Sequence, residues 1–319
     1  IYFIGMPASM FYNFGSAVLR AVGDTKRPLY YLSAAGVLNV LLNLLFVIRF
    51  SMGVAGVALA TSISQYLSAA LIAICLMRSE SCYRLHWDEL ALHKDKALPI
   101  IRIGLPAGLQ SSIFAISNVV IQSSINSFGS IAMAGSAAAA NIEGFVYVSM
   151  NSVAQASLSF ASQNIGARRY ERISKISRTC LLLAALFGLV LGNGVYLLHD
   201  TFLRFYSPDP AVIEAGALRL SVICTTYFLC GLMDTLACIL RAMGKSLLPM
   251  VVTIIGACGL RVLWIYTVFP LDRTFFTLFL SYPITWGVTA AVHAVCYFFT
   301  KRTMLRRAQA SAPSEASST

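Results

Sequence analysis

Charged residues are scarce in this chain. Asp, Glu, Lys and Arg together make up 12% of the 319 residues, whereas hydrophobic residues make up 58%. Soluble domains carry about 25% charged residues, so this composition excludes a soluble globular protein. The 10 proline and 21 glycine residues are too few for a fibrous or disordered chain. The composition is typical of a protein that lies mostly within a membrane.

The sequence motifs of common catalytic and metal sites are also missing. The sequence contains no Gly-x-x-x-x-Gly-Lys-Ser/Thr loop, no His-Glu-x-x-His and no Gly-x-Ser-x-Gly. Its eight cysteines are scattered and form no Cys-x-x-Cys pair. We therefore predict that the protein is not an enzyme and that it holds no metal or cofactor.

A segment of ten residues occurs twice, 221 positions apart. Residues 19–28 read LRAVGDTKRP and residues 240–249 read LRAMGKSLLP, and Leu, Arg, Ala, Gly and Pro are identical in register. Each copy lies between two long apolar segments. Paired lobes in a membrane are the architecture of secondary transporters. The same offset predicts that about 120 further residues, enough for three more spans, precede residue 1.

Nine apolar segments approach or exceed the roughly 20 residues that a helix needs to cross a bilayer. They are residues 1–20, 28–49, 54–77, 98–127, 132–160, 180–198, 211–239, 249–269 and 275–299. We predict an all-α polytopic membrane protein with two pseudo-symmetric lobes, each of six helices once the three further spans are counted. The predicted parts are the last three helices of the N-terminal lobe (1–77), a cytoplasmic linker (78–97), a six-helix C-terminal lobe (98–300) and a disordered cytoplasmic tail (301–319).

Most of the 24 Lys and Arg residues lie in alternate connectors between these segments. Basic connectors stay on the cytoplasmic side of a membrane, so we predict a cytoplasmic C-terminus in a plasma membrane, the inner membrane if the source is bacterial. The net charge of +11 therefore reflects membrane orientation, and we expect no nucleic-acid partner. We expect the protein to be monomeric, with the lipid bilayer and small organic cations as its partners.

Two carboxylates, Glu143 and Asp234, lie deep in the predicted spans. An ionised acid at the bilayer centre costs about 2.5–3.5 kcal/mol, so it normally faces a cavity, pairs with a cation or is protonated. Either acid is a candidate for binding an ion or a substrate, and the alternative is an acid that ties helices together. Asp234 corresponds in the repeat to Asn13, a second candidate. Helical spacing places Tyr227 on the face of Asp234, either beside a bound organic cation or in ordinary packing.

Polar side chains form stripes along two consecutive spans. The fifth span carries Glu143, Tyr147, Asn151 and Gln155 at steps of four, and the fourth carries Gln110, Asn118, Gln122 and Asn126 with Phe114 in the remaining place. One shared water-accessible cavity accounts for both stripes, and hydrogen bonding between helices is the competing account. Asn39 and Asn43 extend such a cavity into the first lobe or bond between helices.

Arg261 lies in the middle of the eighth span, and the corresponding residue of the first lobe is Val40. The sequence leaves two interpretations open. Its side chain either extends to the membrane surface or pairs with an acid across the bundle.

Several motifs resemble the multidrug and toxic-compound extrusion (MATE) family. They are the segment 19–28, Leu38-Asn39-x-x-x-Asn43, Gly53–Thr61, Gly104-Leu105-Pro106, Ala138–Glu143 and Gln163–Ala167. The resemblance implies twelve helices around a central cavity and export of organic cations driven by H⁺ or Na⁺. It implies that Asp234 and Glu143 lie on helices that line the cavity of the second lobe.

The chain departs from the family pattern at two positions. The best-known coupling carboxylate of the family lies on the first helix of the first lobe, which residues 1–319 do not include. An acid that some members carry on the fourth span is replaced by the region of Phe114. This second departure argues against a Na⁺ site in the second lobe.

The leading hypothesis is therefore an antiporter that exports drugs or other organic cations by alternating access. A flippase for lipid-linked oligosaccharides, from the same superfamily, is the alternative and predicts more cationic residues inside the cavity. A polytopic membrane enzyme or receptor is a remote alternative, because it predicts a clustered catalytic motif or a large extramembrane loop, and the sequence has neither.

Overall fold

The computed structural model describes residues 1–80, 83–86, 88, 91 and 93–310, and its side chains as far as residue 306. Within these residues the regular elements are helices, and no strand is present. The chain divides into two compact units at His93 and Lys94, inside the predicted linker 78–97. Each unit is considered by itself.

The first unit is built from three long helices. After a 3₁₀ turn at Tyr2–Gly5 they are α1 (Met6–Ala21), α2 (Lys26–Leu44, continued by a π-helical turn at Leu45–Arg49) and α3 (Gly53–Met77). Helix α3 packs against both α1 and α2. The core of the unit contains Tyr12 and Leu19 of α1 with Ile72 and Leu76 of α3.

The second unit contains nine helices among its described residues. They are α4 (Lys94–Asn126), α5 (Ser130–Gly166), α6 (Ile173–Leu197), α7 (His199–Arg204), α8 (Pro210–Thr226), α9 (Phe228–Ala242), α10 (Leu247–Thr253), α11 (Leu260–Thr267) and α12 (Phe275–Ala310), with a π-helical turn at Ile254–Gly259 between α10 and α11. Helix α5 lies at the centre of the unit and packs against α6, α8 and α9, while α12 packs against α8 and α9.

The all-α membrane architecture is confirmed, whereas the count of nine spans is supported only loosely. Seven helices of the described residues are long and apolar enough to cross a membrane. Helices α8 and α9 add an eighth span if they are taken together, although they meet at a bend of 47°. The predicted first span falls short because α1 has only 16 residues.

Two predicted boundaries are wrong. Helix α4 begins at Lys94, so the last four residues of the predicted linker 78–97 are helical. Helix α12 continues to Ala310, so residues 301–310 of the predicted disordered tail are helical as well. Lys and Arg are good helix formers, and their charge is favourable near a helix C-terminus, which explains this extension. Residues 311–319 lie outside the described residues.

The repeated segment forms the same turn in both units. Gly23 and Gly244 have positive φ angles of 90° and 77°, a conformation that costs glycine little. The amide of Gly23 donates to the carbonyl of Arg20 at 3.1 Å, and that of Gly244 donates to Arg241 at 2.9 Å. In each copy the next amide donates to the carbonyl of the repeated Leu, at 2.9 and 3.1 Å. The repeat therefore encodes a helix C-cap of the Schellman type.

We expect the substitution Gly192→Ala to destabilise the protein. A Cβ atom at Gly192 on α6 would overlap the backbone carbonyl of Cys224 on α8, so the two helices would have to separate. Overpacking of this kind costs about 1–3 kcal/mol. Gly194→Ala is the matched control, because nothing lies within 4 Å of a Cβ atom there.

Thermal unfolding of the purified protein in detergent measures both effects. Gly192→Ala should lower the melting temperature. Gly194→Ala should leave it unchanged or raise it slightly, because alanine is a better helix former by about 1 kcal/mol. Equal melting temperatures for the two variants would contradict the close packing of α6 on α8.

Candidate functional site

Two adjoining cavities lie inside the second unit. The Asp234 cavity has a volume of about 320 Å³, and the Glu143 cavity has a volume of about 440 Å³. Phe114 of α4, Tyr147 of α5 and Cys230 of α9 line both of them. Sites for drug-sized molecules measure about 300–1,000 Å³, so either cavity is of a suitable size.

The two polar stripes predicted on the fourth and fifth spans line these cavities. Gln110 of α4 faces the Asp234 cavity with Asn151 and Gln155 of α5. Asn118 and Gln122 of α4 face the Glu143 cavity. The stripes thus come together as predicted, although they are divided between two adjoining cavities. Asn126 lines neither cavity and accepts a hydrogen bond of 3.0 Å from Gln122.

The Asp234 carboxylate is half-buried and unpaired. It has no hydrogen-bond or ion-pair partner among the described residues. Arg241 lines the same cavity two turns further along α9, about 10 Å away along the helix axis. The Nη2 group of Arg241 donates to Oε1 of Gln110 at 2.8 Å. The Asp234 carboxylate is therefore free to bind a cation that enters the cavity.

Glu143 is paired with Arg219 of α8. The guanidinium donates from Nη2 to Oε1 of Glu143 and from Nε to Oε2 at 3.3 Å, while its Nη1 group donates to Ser136 Oγ at 2.6 Å. Both charged side chains are buried, and the guanidinium lies 5.3 Å from the ring centre of Phe279. These contacts favour the alternative in which Glu143 ties helices together, because the pair joins α5 to α8.

Stacked aromatic rings cross the Glu143 cavity. Tyr227 stacks on Tyr147 with ring centres 6.4 Å apart and on Trp286 of α12 with ring centres 5.3 Å apart. Sequence analysis missed Trp286, although its spacing of four residues from Tyr282 places both rings on one face of α12. The rings offer a flat apolar surface for a planar organic molecule.

The sequence predicts Tyr227 and Asp234 on one helical face, and the structure places them at different cavities. Tyr227 occupies the break between α8 and α9, and its ring lines the Glu143 cavity. The backbone of Tyr227 is helical, and its carbonyl accepts from the amide of Gly231 at 3.2 Å, so Tyr227 continues α9 and lies about two turns before Asp234. The aromatic rings that line a cavity together with Asp234 are those of Phe114 and Tyr147.

The candidates of the first unit form local hydrogen bonds. Asn13 is exposed, and its Nδ2 group donates to the carbonyl of Ser9 on the same helix at 2.9 Å. Asn39 donates to Thr61 Oγ1 on α3 at 3.5 Å, and Asn43 donates to Asn39 Oδ1 at 3.0 Å. The contact of Asn39 favours the alternative of bonding between helices, whereas Asn43 bonds within α2.

Arg261 follows neither interpretation that the sequence left open. Its side chain is fully buried and pairs with no acid among the residues that the structure describes. The guanidinium lies 4.1 Å from the ring centre of Tyr282, 5.6 Å from Phe114 and 6.0 Å from Trp286. Its Nη2 group donates to Thr285 Oγ1 at 3.3 Å, whereas Nε and Nη1 have no partner among the described residues. Cation–π contacts contribute about 0.5–2 kcal/mol each and only partly offset the cost of burying this charge.

Comparison with known proteins identifies the family. The MatE family model matches residues 106–267 of the chain. The chain belongs to the MatE family. Over 266 residues it is 31% identical to the probable multidrug resistance protein YpnP of Bacillus subtilis, an alignment that covers 82% of this chain and 58% of YpnP. Over 271 residues it is 27% identical to the probable multidrug resistance protein YoeA of the same organism, with the same shares covered.

Solved MATE transporters have the fold of this MatE chain. The crystal structure of a mutant of the Vibrio cholerae MATE transporter VcmN matches it with a TM-score of 0.86 at 18% sequence identity, covering 95% of this chain and 68% of that one. The predicted resemblance and the membrane-spanning helical fold are thereby confirmed. The chain spans a little over half the length of the curated relatives it matches.

Among the described residues of this MatE chain, no three His, Cys, Asp or Glu side chains gather in a group that could hold a metal ion.

We expect Arg219→Met to destabilise the protein by about 3–5 kcal/mol, because it leaves the Glu143 carboxylate buried without its partner. The double variant Glu143→Leu/Arg219→Met removes both charges and should recover most of that loss. The matched control is Arg204→Met, which breaks the exposed 2.9 Å pair with Asp200 and should cost less than about 1 kcal/mol.

Melting temperatures in detergent test this expectation. A double variant as unstable as Arg219→Met would contradict it, because the cost would then arise from lost packing and not from an unpaired charge.

Proposed function

We propose that the protein is a secondary active exporter that moves organic cations and drugs out of the cell in exchange for H⁺ or Na⁺. The observation that carries the proposal is the unpaired, half-buried carboxylate of Asp234 in a cavity that Tyr147 also lines. Membership of the MatE family and the names of YpnP and YoeA as multidrug resistance proteins support drug extrusion.

The chemistry of the Asp234 cavity suits a cation that carries an aromatic group. The carboxylate supplies the opposite charge, and the ring of Tyr147 contributes a cation–π attraction of about 0.5–2 kcal/mol. Asn151 and Gln155 supply hydrogen-bonding groups along the same wall. These polar groups orient a ligand without adding a second charge.

Exchange follows if H⁺ or Na⁺ competes with the organic cation for Asp234. A carboxylate that is protonated or bound to Na⁺ no longer attracts the cation, so the two ligands exclude each other. A cycle that opens the site to one side of the membrane at a time then couples cation export to ion entry.

The flippase alternative gains no support. A pyrophosphate group needs several free cationic residues, and Arg219 in the Glu143 cavity is neutralised by Glu143. Among the described residues that line the cavities, this leaves Arg241 as the one base without an acidic partner. The comparisons that support drug extrusion do not extend to lipid-linked oligosaccharides.

We further propose that the protein is a monomer in the inner membrane of a bacterium, with the end of α12 in the cytoplasm. The basic residues in alternate connectors support this orientation. Two positions outside the apolar segments test it: Lys301 on the C-terminal part of α12 and Arg273 in the connector between α11 and α12.

Single cysteines at these two positions, in a variant without the native cysteines, should react differently in whole cells. A membrane-impermeant maleimide should label the cysteine at residue 273 and spare the cysteine at residue 301. The reverse pattern would contradict the proposed orientation.

We expect Asp234→Asn to abolish gradient-driven export of ethidium by the whole protein in proteoliposomes. The amide keeps the shape of the side chain but removes the charge that attracts both ions. Glu214→Gln is the matched control, because Glu214 is an exposed carboxylate on α8 outside both cavities, and this variant should export normally.

An imposed pH gradient and an imposed Na⁺ gradient identify the coupling ion in the same vesicles. Export that persists in Asp234→Asn would show that coupling lies elsewhere in the protein. An unmodified protein that exports ethidium under neither gradient would overturn the proposed function.

A further inference from the structure

Arg261 carries a charge that the proposed exchange of cations does not use. We propose that Arg261 binds the carboxylate of a zwitterionic aromatic substrate whose cationic group is bound by Asp234. The inference rests on the proposed transport function and narrows the substrate class from organic cations to aromatic molecules with both charges.

The first argument is the bonding of the guanidinium itself. Arg261 is fully buried, and Thr285 accepts one hydrogen bond from its Nη2 group. The Nε and Nη1 donors face no acceptor among the described residues. A buried charge with free donors is stabilised most by an anion that accepts from them, and a carboxylate matches the planar guanidinium.

The second argument is the balance of charge around the two cavities. Their lining residues include two acids, Glu143 and Asp234, and two bases, Arg219 and Arg241, and Arg261 lies behind the aromatic wall. The neighbourhood therefore has one more positive than negative charge. A substrate with only a cationic group would raise this excess to two, whereas a zwitterion leaves the excess unchanged and supplies Arg261 with a counter-charge.

The third argument is access from the cavities. The rings of Phe114, Tyr282 and Trp286 lie next to the guanidinium of Arg261. Phe114 lines both cavities, and Tyr282 and Trp286 line the Glu143 cavity. These three rings lie beside the guanidinium and also line the cavities, so the proposed site requires that the Phe114 side chain rotate to open a path to Arg261. The π-helical turn at Ile254–Gly259 directly precedes α11, and such turns are frequent at functional sites.

A matched pair of dyes tests the proposal. Rhodamine B carries a planar cation and a carboxylate, and its ethyl ester carries the same cation without the negative charge. Fluorescence anisotropy with the purified whole protein in detergent measures the affinity for each dye. We expect Arg261→Met to weaken the binding of rhodamine B about tenfold or more, which corresponds to the loss of a hydrogen-bonded charge pair. Binding of the ester should stay within about twofold of the unmodified protein.

Two further variants complete the experiment. Arg273→Met removes an exposed arginine of the same unit and should leave the affinity for both dyes unchanged. Arg261→Lys keeps the charge but lacks the planar guanidinium that can donate two parallel hydrogen bonds to a carboxylate. This variant should bind rhodamine B more weakly than the unmodified protein does, and it should bind the ester as well as the unmodified protein does. If Arg261→Met fails to fold, Arg261→Lys provides the same comparison.

The proposal is overturned if the Arg261 variants weaken the binding of both dyes equally, or the binding of neither dye. Binding is measured without an ion gradient, so this result is independent of the ethidium experiment. If the unmodified protein exports no ethidium but Arg261→Met still weakens the binding of rhodamine B alone, only the proposed function is contradicted. If the unmodified protein exports ethidium normally but Arg261→Met affects both dyes alike, only the carboxylate site is contradicted.

Discussion

The ion pair between Glu143 and Arg219 determines how charge is distributed in the second unit. A lone carboxylate or guanidinium inside a membrane costs several kcal/mol, and here each neutralises the other. Because the pair bridges α5 and α8, it also connects two helices that line the Glu143 cavity. Among the described residues that line the two cavities, Asp234 consequently remains the carboxylate that no guanidinium contacts.

Small residues allow α5 to lie at the centre of the unit, so that its polar stripe reaches both cavities. Gly135 packs directly against the backbone of α8 at Gly216, and Met150 lies beside Gly188 of α6 and Gly231 of α9. Helices in a membrane gain little from the hydrophobic effect, so close backbone packing of this kind supplies much of their attraction. The position of Asp234 in the site therefore depends on glycines that never contact a ligand.

Features that depend on local sequence could be predicted, whereas features that depend on the rotation and depth of helices could not. Steps of four along α4 and α5 indicated which side chains face inward, and the repeated segment marked the boundary between two spans where Gly244 forms a helix C-cap. The partner of Glu143 lies 76 residues away on α8, and periodicity gives no information about which of several polar residues it meets. The break at Tyr227 follows a run without proline or glycine, so the sequence had no signal for it. Arg261 was recognised as unusual, but its aromatic surroundings come from α4 and α12.

The position of Arg241 matters because it lies on the same helix as Asp234 and carries the opposite charge. If its guanidinium reached the carboxylate, the protein would neutralise its own site and a cation could bind only by displacing it. The Nη2 group of Arg241 instead donates to Gln110 of α4, and Arg241 forms no ion pair with Asp234 among the described residues. Gln110 therefore helps to keep the carboxylate available, although an uncharged amide contributes no binding charge of its own. A polar residue on one helix thus helps to preserve the charge on another.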